Sequence, residues 1–352
     1  MPTLPTSQNL KGNLSEATAA KPQTASSEKR PLVTFALFAY NQEHYIREAV
    51  EGAFSQTYSP LEIILSDDCS SDSTFTIIEE LAASYQGSHK VILNRNEKNL
   101  GIAGHCNRVM ELSSGEWIVF AAGDDISLPS RVSTTLRVAE QHPDAYSVML
   151  GVTAFGEGRS GPVVLERVTR FPDTLKRGNG VTVGASHACR RESYSLFGPV
   201  PKGVWEDTTL GFRSSLLGTI VTSGEVAVRY RLHPESVSSS QILGQTGLPR
   251  IRRELAIATC MKRDLELALQ GGWVDADTVS FGASLLERLM ETDQGLLAIA
   301  KEDRILPLLG RVFKLLLHRD PYRNVFWKLK NMFFLWRSRC SCGANRDLSV
   351  GE

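Results

Sequence analysis

Short, predominantly apolar runs separated by polar turns occupy the first half of the chain. Residues 32–38, 61–65, 91–94 and 117–121 are such runs, rich in β-branched and aromatic side chains. Runs of this length predict strands covered on both faces. Between them apolar residues recur at helical spacing. Ile46, Ala49, Val50 and Ala53 predict one side of a helix over residues 43–54, with Asn41 as its N-cap. A second helix, capped by Ser71 or Asp72, runs to Leu81. A third spans 101–112, and a fourth begins near Pro129. Strand and helix alternating through short loops predict an α/β fold: a mostly parallel sheet with flanking helices. Right-handed crossovers would set the strand ends along one edge.

The second half is less regular. Residues 145–155 open with an apolar run, and 156–162 form a glycine-rich turn. Residues 163–170 return as a hairpin strand, followed by a loop over 172–180. The segment from Gly184 leads into a short helix ending at Gly198 and Pro199. Another helix opens at Glu206 and Asp207 and runs to Leu217, and residues 226–230 are strand-like. Residues 250–269, 278–300 and 305–318 read as helices. This gives a leader over 1–30, an α/β domain over 31–240, a helical region over 241–339 and a tail over 340–352.

Composition narrows the class. The formal net charge of the 352 residues is zero, which gives no general case for nucleic-acid binding. The six cysteines form no CxxC pair, as expected of a reducing compartment. Residues 1–30 are poor in large apolar side chains and lack an apolar signal core, so a disordered leader is expected. Residues 310–339 interleave Arg and Lys with Phe, Trp and Leu. That pattern suits a helix on an anionic membrane surface, and equally one docked on the domain or on a second chain.

The candidate chemistry sits at the predicted strand ends. Asn41, Asp67, Asp68, Asn99 and the adjacent Asp124 and Asp125 would converge from separate loops. Carboxylates there need partners, and a divalent cation with a phosphate-bearing ligand supplies one. Helix capping and turn formation are the competing roles for each. No glycine-rich turn follows the first strand and no Walker lysine loop occurs, so a dinucleotide or P-loop site is not indicated.

Phe38, Tyr40, Asn41, then Asp67, Asp68, Asp72 and Thr74, then Asn99 and Gly101, then Gly123, Asp124 and Asp125 follow in order. With Glu206, Asp207 and His233 they resemble the inverting family 2 glycosyltransferases of bacterial surface-polysaccharide type, with the GT-A (nucleotide-diphospho-sugar transferase) fold. The resemblance covers roughly residues 31–240. It implies that Tyr40, Asn41, Glu43, Asp67, Asp68, Asn99, Gly101 and Asp124 line a nucleotide-sugar pocket. It implies a divalent cation, Mg²⁺ or Mn²⁺, at Asp124, Asp125 and His233. Asp207 would be the catalytic base, supported by Glu206. Ser186 and His187 would face the acceptor, although a structural role also suits His187.

The donor implied is a UDP-, GDP- or dTDP-sugar. The acceptor would be a hydroxyl of a glycan or lipid-linked glycan of O-antigen, capsule or exopolysaccharide type. The expected location is cytoplasmic, either free or peripheral on the inner face of the cytoplasmic membrane through residues 310–339. Ala122 stands where the family pattern carries a further Asp, which removes one carboxylate from the metal motif. A non-catalytic nucleotide-sugar-binding or scaffold protein with a degenerate site is the alternative.

Overall fold

The computed structural model describes residues 30–156, 161–163, 166–177, 184–236 and 248–299. The leader over 1–29, the segment 305–318, the basic–aromatic stretch 310–339 and the tail fall outside the described residues.

Among the described residues ten strands form one sheet. In chain order they are β1 (Val33–Ala39), β2 (Leu61–Asp67), β3 (Lys90–Arg95), β4 (Trp117–Ala122), β5 (Ile126–Ser127), β6 (Ala145–Gly156), β7 (Gly161–Val163), β8 (Arg167–Arg170), β9 (His187–Arg190) and β10 (Thr219–Leu232). The spatial order is β3-β2-β1-β4-β9-β6-β10-β5, with β7 on β6 and β8 on β10. Helices α1 (Ile46–Phe54), α2 (Thr74–Ser84), α3 (Gly101–Leu112) and α4 (Arg131–Gln141) lie in the first half. They are followed by α5 (Asp173–Arg177), α6 (Glu192–Ser195), α7 (Glu206–Leu217), α8 (Leu248–Gln270) and α9 (Ala276–Ile299).

The apolar runs are strands because both their faces are covered. In β1 and β4, Phe35, Leu37, Trp117 and Val119 pack with Ile46 and Val50 of α1 and Leu136 of α4. The alternate residues Ala36, Ile118 and Phe120 pack with Cys106 and Val109 of α3 and Leu210 of α7. Side chains alternate between faces along a strand, so two cores follow from one continuous apolar run. Ile257 and Cys260 of α8 join the second core. Leu265 of α8 and Leu285 and Leu286 of α9 pack with Phe212 and Leu216 of α7. The helices that follow residue 240 thus pack directly against the sheet-flanking layer.

The parallel group β3-β2-β1-β4 is as the alternation predicts, but the sheet is mixed. β9, read from sequence only as a lead into a short helix, is antiparallel to both β4 and β6. Two antiparallel steps restore the direction, and β10 runs parallel to β6. The carboxyl end of β10 therefore emerges at the same edge as those of β1, β2 and β4, together with the amino end of β9. The expected hairpin strand over 163–170 is divided. Gly161–Val163 pairs with β6, whereas Arg167–Arg170 pairs with β10. No helix among the described residues is long and apolar enough to cross a membrane.

Candidate active site

The strand ends are level. Ala39 is in register with Asp67, Phe38 with Ala122, and Asp67 with Arg95. The first loops beyond them are sewn together by side chains. Asn41 is not the cap of α1, which starts only at Ile46. It adopts φ 50°, and its Oδ1 accepts the Ser71 amide at 2.9 Å. Asp72 Oδ2 accepts the Glu43 amide at 3.1 Å, while Glu43 Oε2 accepts the Ser73 amide at 3.0 Å. This reciprocal bracket joins the loop after β1 to the loop after β2. Burial works against the Asp72 charge, but bonds from the Thr74 hydroxyl and the Thr74 and Glu43 amides outweigh it and lower its pKa.

Asp67 and Asp68 differ from the expected ligand contacts. Asp67 is fully buried. Its carboxylate accepts the Ser70 amide at 2.8 Å and the Ser70 hydroxyl. With no exposed surface, Asp67 shapes the loop through these bonds. Asp68, 3% exposed, accepts Asn96 Nδ2 at 2.7 Å, the Leu100 amide at 2.8 Å and the Gly101 amide at 2.9 Å. It thereby caps α3 from another loop, satisfying amides that a helix start leaves open. Asn99 Oδ1 shares the Gly101 amide at 2.8 Å. Gly101 needs φ 70° at this turn, which favours glycine. Tyr40 is 47% exposed and stands on the open side of these loops.

The acidic turn after β4 is more strained electrostatically. Asp124 Oδ2 lies 3.1 Å from His233 Nε2, although 109 residues separate them in the chain. Arg231 donates its amide to Asp125 Oδ1 at 2.8 Å and its Nε to the Asp124 carbonyl at 2.9 Å, and it pairs with Glu48. Its guanidinium is held against Tyr45 and Phe155, at 5.0 and 4.5 Å from the ring centres. Arg229 lies over the same Phe155 ring, so the two arginines share a face of β10 as their alternation predicts. Burial and the neighbouring Asp124 charge push Asp125 up to about 8.

Among the described residues, the buried side-chain atoms without a hydrogen-bond partner are Asp125 Oδ2, Arg131 Nε and His233 Nδ1. Two of these three atoms belong to expected cation ligands. No group of three or more metal-ligating side chains occurs among the described residues. The Asp124–His233 separation nevertheless suits two neighbouring ligands of one octahedral cation, which lie about 3 Å apart at ordinary Mg²⁺ distances. A hard cation with few protein ligands is completed by phosphate oxygens, so this small donor set fits a cation that arrives with a nucleoside diphosphate.

Glu206 and Asp207 open α7 and face the turn Gly184–Ser186 that precedes β9. A Cβ on Gly184 would lie 3.5 Å from Glu206 Oε1 and 3.6 Å from Asp207 Oδ2. Asp207 Oδ1 accepts the Thr208 amide at 2.5 Å and the Thr208 hydroxyl at 3.2 Å. Burial and the adjacent Asp207 charge push Glu206 up to about 8. Burial also raises Asp207, against the hydrogen bonds from Thr208 and the Gly184 amide.

Ser186 and His187 are brought to this edge but sealed beneath it, at 3% and 1% exposure. His187 Nε2 bonds Ser147 Oγ at 2.6 Å, and its ring stacks on Phe120 at 5.4 Å. Burial, with Arg131 nearby, pushes its pKa down to about 3, so it is a neutral core histidine. His187 is thus placed as a core histidine, and neither side chain is exposed. Arg131, absent from the sequence reading, is 1% exposed. It bonds Ser127 Oγ at 2.9 Å and the Phe120 carbonyl beneath the acidic turn. Its position beside Val132 and Thr135 on the buried side of α4 was the available signal, because a cation there requires fixed partners.

Similar proteins agree with this architecture. The sheet and flanking layers superpose on Staphylococcus aureus TarS 1-349 in complex with UDP-GlcNAc. The TM-score is 0.53 at 16% identity, covering 88% of this chain and 91% of that one. They superpose also on the mannosyltransferase PcManGT from Pyrobaculum calidifontis, in complex with GDP-Man and Mn²⁺. There the TM-score is 0.50 at 18% identity, covering 88% and 86%. The fold is therefore the GT-A fold of nucleotide-sugar transferases. Residues 34–196 match the model for glycosyl transferase family 2. It is 33% identical over 149 residues to the putative glycosyltransferase EpsE of Bacillus subtilis, covering 42% of this chain. The chain spans 52% of that relative's length. Glu206, Asp207 and His233 lie beyond the residues that the family match covers.

Proposed function

We propose that the protein is an inverting glycosyltransferase that moves a sugar from a UDP-, GDP- or dTDP-sugar to a hydroxyl of a glycan or lipid-linked acceptor in surface-polysaccharide synthesis. The observation that carries this reading is the half-buried Glu206–Asp207 pair at the sheet edge where Asp124 meets His233.

The loops holding Tyr40, Asn41, Glu43, Asn99 and Gly101 bind and orient the nucleotide, with Asp67 and Asp68 fixing their shape from below. Asp124 and His233, with Asp125 behind them, would hold a Mg²⁺ or Mn²⁺ ion, whose chemistry is to offset charge on the diphosphate. Arg231, fixed by Tyr45 and Phe155, adds positive charge to the same place.

Glu206 keeps its proton up to about pH 8, so at neutral pH the acid pair carries one negative charge. We assign that charge to Asp207, whose Oδ1 accepts from Thr208. Asp207 takes the proton of the acceptor hydroxyl as the oxygen bonds to the anomeric carbon. The bond from that carbon to the diphosphate oxygen breaks, and its electron pair leaves with the nucleoside diphosphate. Attack opposite the leaving group inverts configuration. A partner residue that stays protonated preserves the basicity of Asp207 without adding a second charge to the site.

Residues 310–339 would place the enzyme on the inner face of the cytoplasmic membrane, near a lipid-linked acceptor. Flotation of the full chain with anionic vesicles, and its loss with neutral ones, tests that location. The central test is a thermal-shift panel of UDP, GDP, dTDP and CMP with and without Mn²⁺ or Mg²⁺, followed by donor turnover. One nucleoside diphosphate should raise the melting temperature, and more so with metal; at about 100 times its Kd a ligand adds about 2.7 kcal/mol. A folded protein that responds to none of them sinks the reading.

A further inference from the structure

Arg213 and Asp264 form an ion pair with both side chains at 0% exposure. Arg213 belongs to α7, seven residues after Glu206 and so on the same helix face. Asp264 belongs to α8, beyond the family match. Arg213 Nε meets Asp264 Oδ2 at 2.8 Å. The other arms of the guanidinium donate to the Gly198 carbonyl at 2.7 Å and the Pro199 carbonyl at 3.4 Å. The Phe197 ring covers one side, 5.4 Å from the guanidinium carbon. Asp264 Oδ1 is occupied by Arg263 at 2.6 Å.

A buried ion pair of this kind adds little stability over apolar residues of similar volume, because desolvation offsets the attraction. What it supplies is direction. The planar fork fixes several acceptors at once, which an aliphatic side chain cannot do. Gly198 and Pro199 begin the segment that delivers the chain to Glu206, and Gly198 turns at φ 76°. Arg213 therefore ties the start of that segment to the helix at its end, and both to α8. We propose that Arg213 and Asp264 are a positioning pair: they set α7 against α8 and so aim Asp207 at the acceptor hydroxyl. This rests on the reading of Asp207 as the base.

The test uses the full chain with Arg213→Lys, which keeps the charge and loses the fork. It is accompanied by Arg213→Met combined with Asp264→Leu, which removes both charges together. Melting and nucleotide titration establish folding and donor binding. In both variants kcat should fall on the order of 10- to 100-fold, as expected of a misaimed base. The KM for the donor should stay within about twofold, since ground-state binding is untouched. The pH limb of kcat reporting the acid pair, and the slope of stability against pH, should both be displaced.

Folded variants with wild-type kcat and pH limb, or a loss confined to KM, would overturn the proposal. So would failure of both variants to fold, which would make the pair purely structural. If the wild type itself turns over no donor, the transferase reading fails. The stability–pH slope then still decides whether Arg213 governs the environment of Glu206 and Asp207, an unchanged slope rejecting it.

Discussion

The two halves of the site treat their carboxylates in opposite ways. On the side of β1, β2 and β3, each acid is provided with donors. Asp68 receives three N–H groups, and Asp72 is held in its charged form by the hydrogen bonds around it. On the side of β4, β10 and α7, the cost of removing Asp125, Glu206 and Asp207 from water outweighs the donors they receive. Asp125 and Glu206 rise to about 8, and the orphaned atoms of Asp125, Arg131 and His233 gather around one turn. The first half is a finished scaffold whose stability comes from its polar bonds. The second keeps groups ready for a partner or a proton, at some expense in stability. The same change, carboxylate to amide or to methyl, should thus have opposite consequences in the two halves.

The largest separation should come from Asp207→Asn. Loss of a general base lowers turnover by about 10²–10⁴-fold, while nucleotide affinity stays near wild type. Paired kinetics and nucleotide titration check this, and wild-type turnover would remove Asp207 from the mechanism. Next, Asp68→Ala should leave the Asn96, Leu100 and Gly101 donors without their acceptor. Buried donors left unsatisfied cost about 1–3 kcal/mol each, and relaxation reduces the sum to about 2–4 kcal/mol. Urea unfolding measures it, and a loss under 1 kcal/mol would contradict the scaffold role.

A smaller effect is expected at the acidic turn. Asp124→Asn should reduce the metal-dependent part of nucleotide affinity by about tenfold, worth about 1.4 kcal/mol. EDTA should bring the wild type to the same affinity; equal loss with and without metal would place Asp124 elsewhere.

The finest contrast is the pH dependence of stability. Glu206 has its folded pKa raised above the unfolded value, so the native state binds more protons and stability falls as pH rises from about 4.3 to about 8. Asp72 has its folded pKa lowered, so its contribution is present above the unfolded value and lost as pH falls through the folded one. Glu206→Gln should flatten the alkaline limb by about 1–2 kcal/mol after allowance for its partial exposure and its coupling to Asp207. Asp72→Asn should flatten the acid limb. Melting curves from pH 3 to 9 would show either limb, and a shared response of both variants would erase the contrast between the halves.

Much of this was legible in the chain because it depends on neighbours in sequence. Period-two and period-3.6 patterns report burial locally, and α3 begins and ends where its residues predict, at Gly101 and Leu112. Acids that follow apolar runs must lie at strand ends, and parallel crossovers bring those ends to one edge. The first four strands, their acidic loops and the helix opened by Glu206 and Asp207 follow from that reasoning.

What only the tertiary structure decided depends on pairing across long separations. β9 is four residues long and looks like a lead-in to a helix, yet its place between β4 and β6 sets the direction of β10 and hence delivers His233 to Asp124. Asn41 has the composition of a helix cap, but the Ser71 amide from a neighbouring loop competes for its side chain and wins. Asp67 and His187 are polar residues of a kind expected on a surface. They are buried because Ser70 and Ser147 supply their hydrogen bonds, and a sequence does not state which distant group will do so. Local pattern determines where polar groups stand along the chain; only the packed fold determines which of them are satisfied and which are left to react.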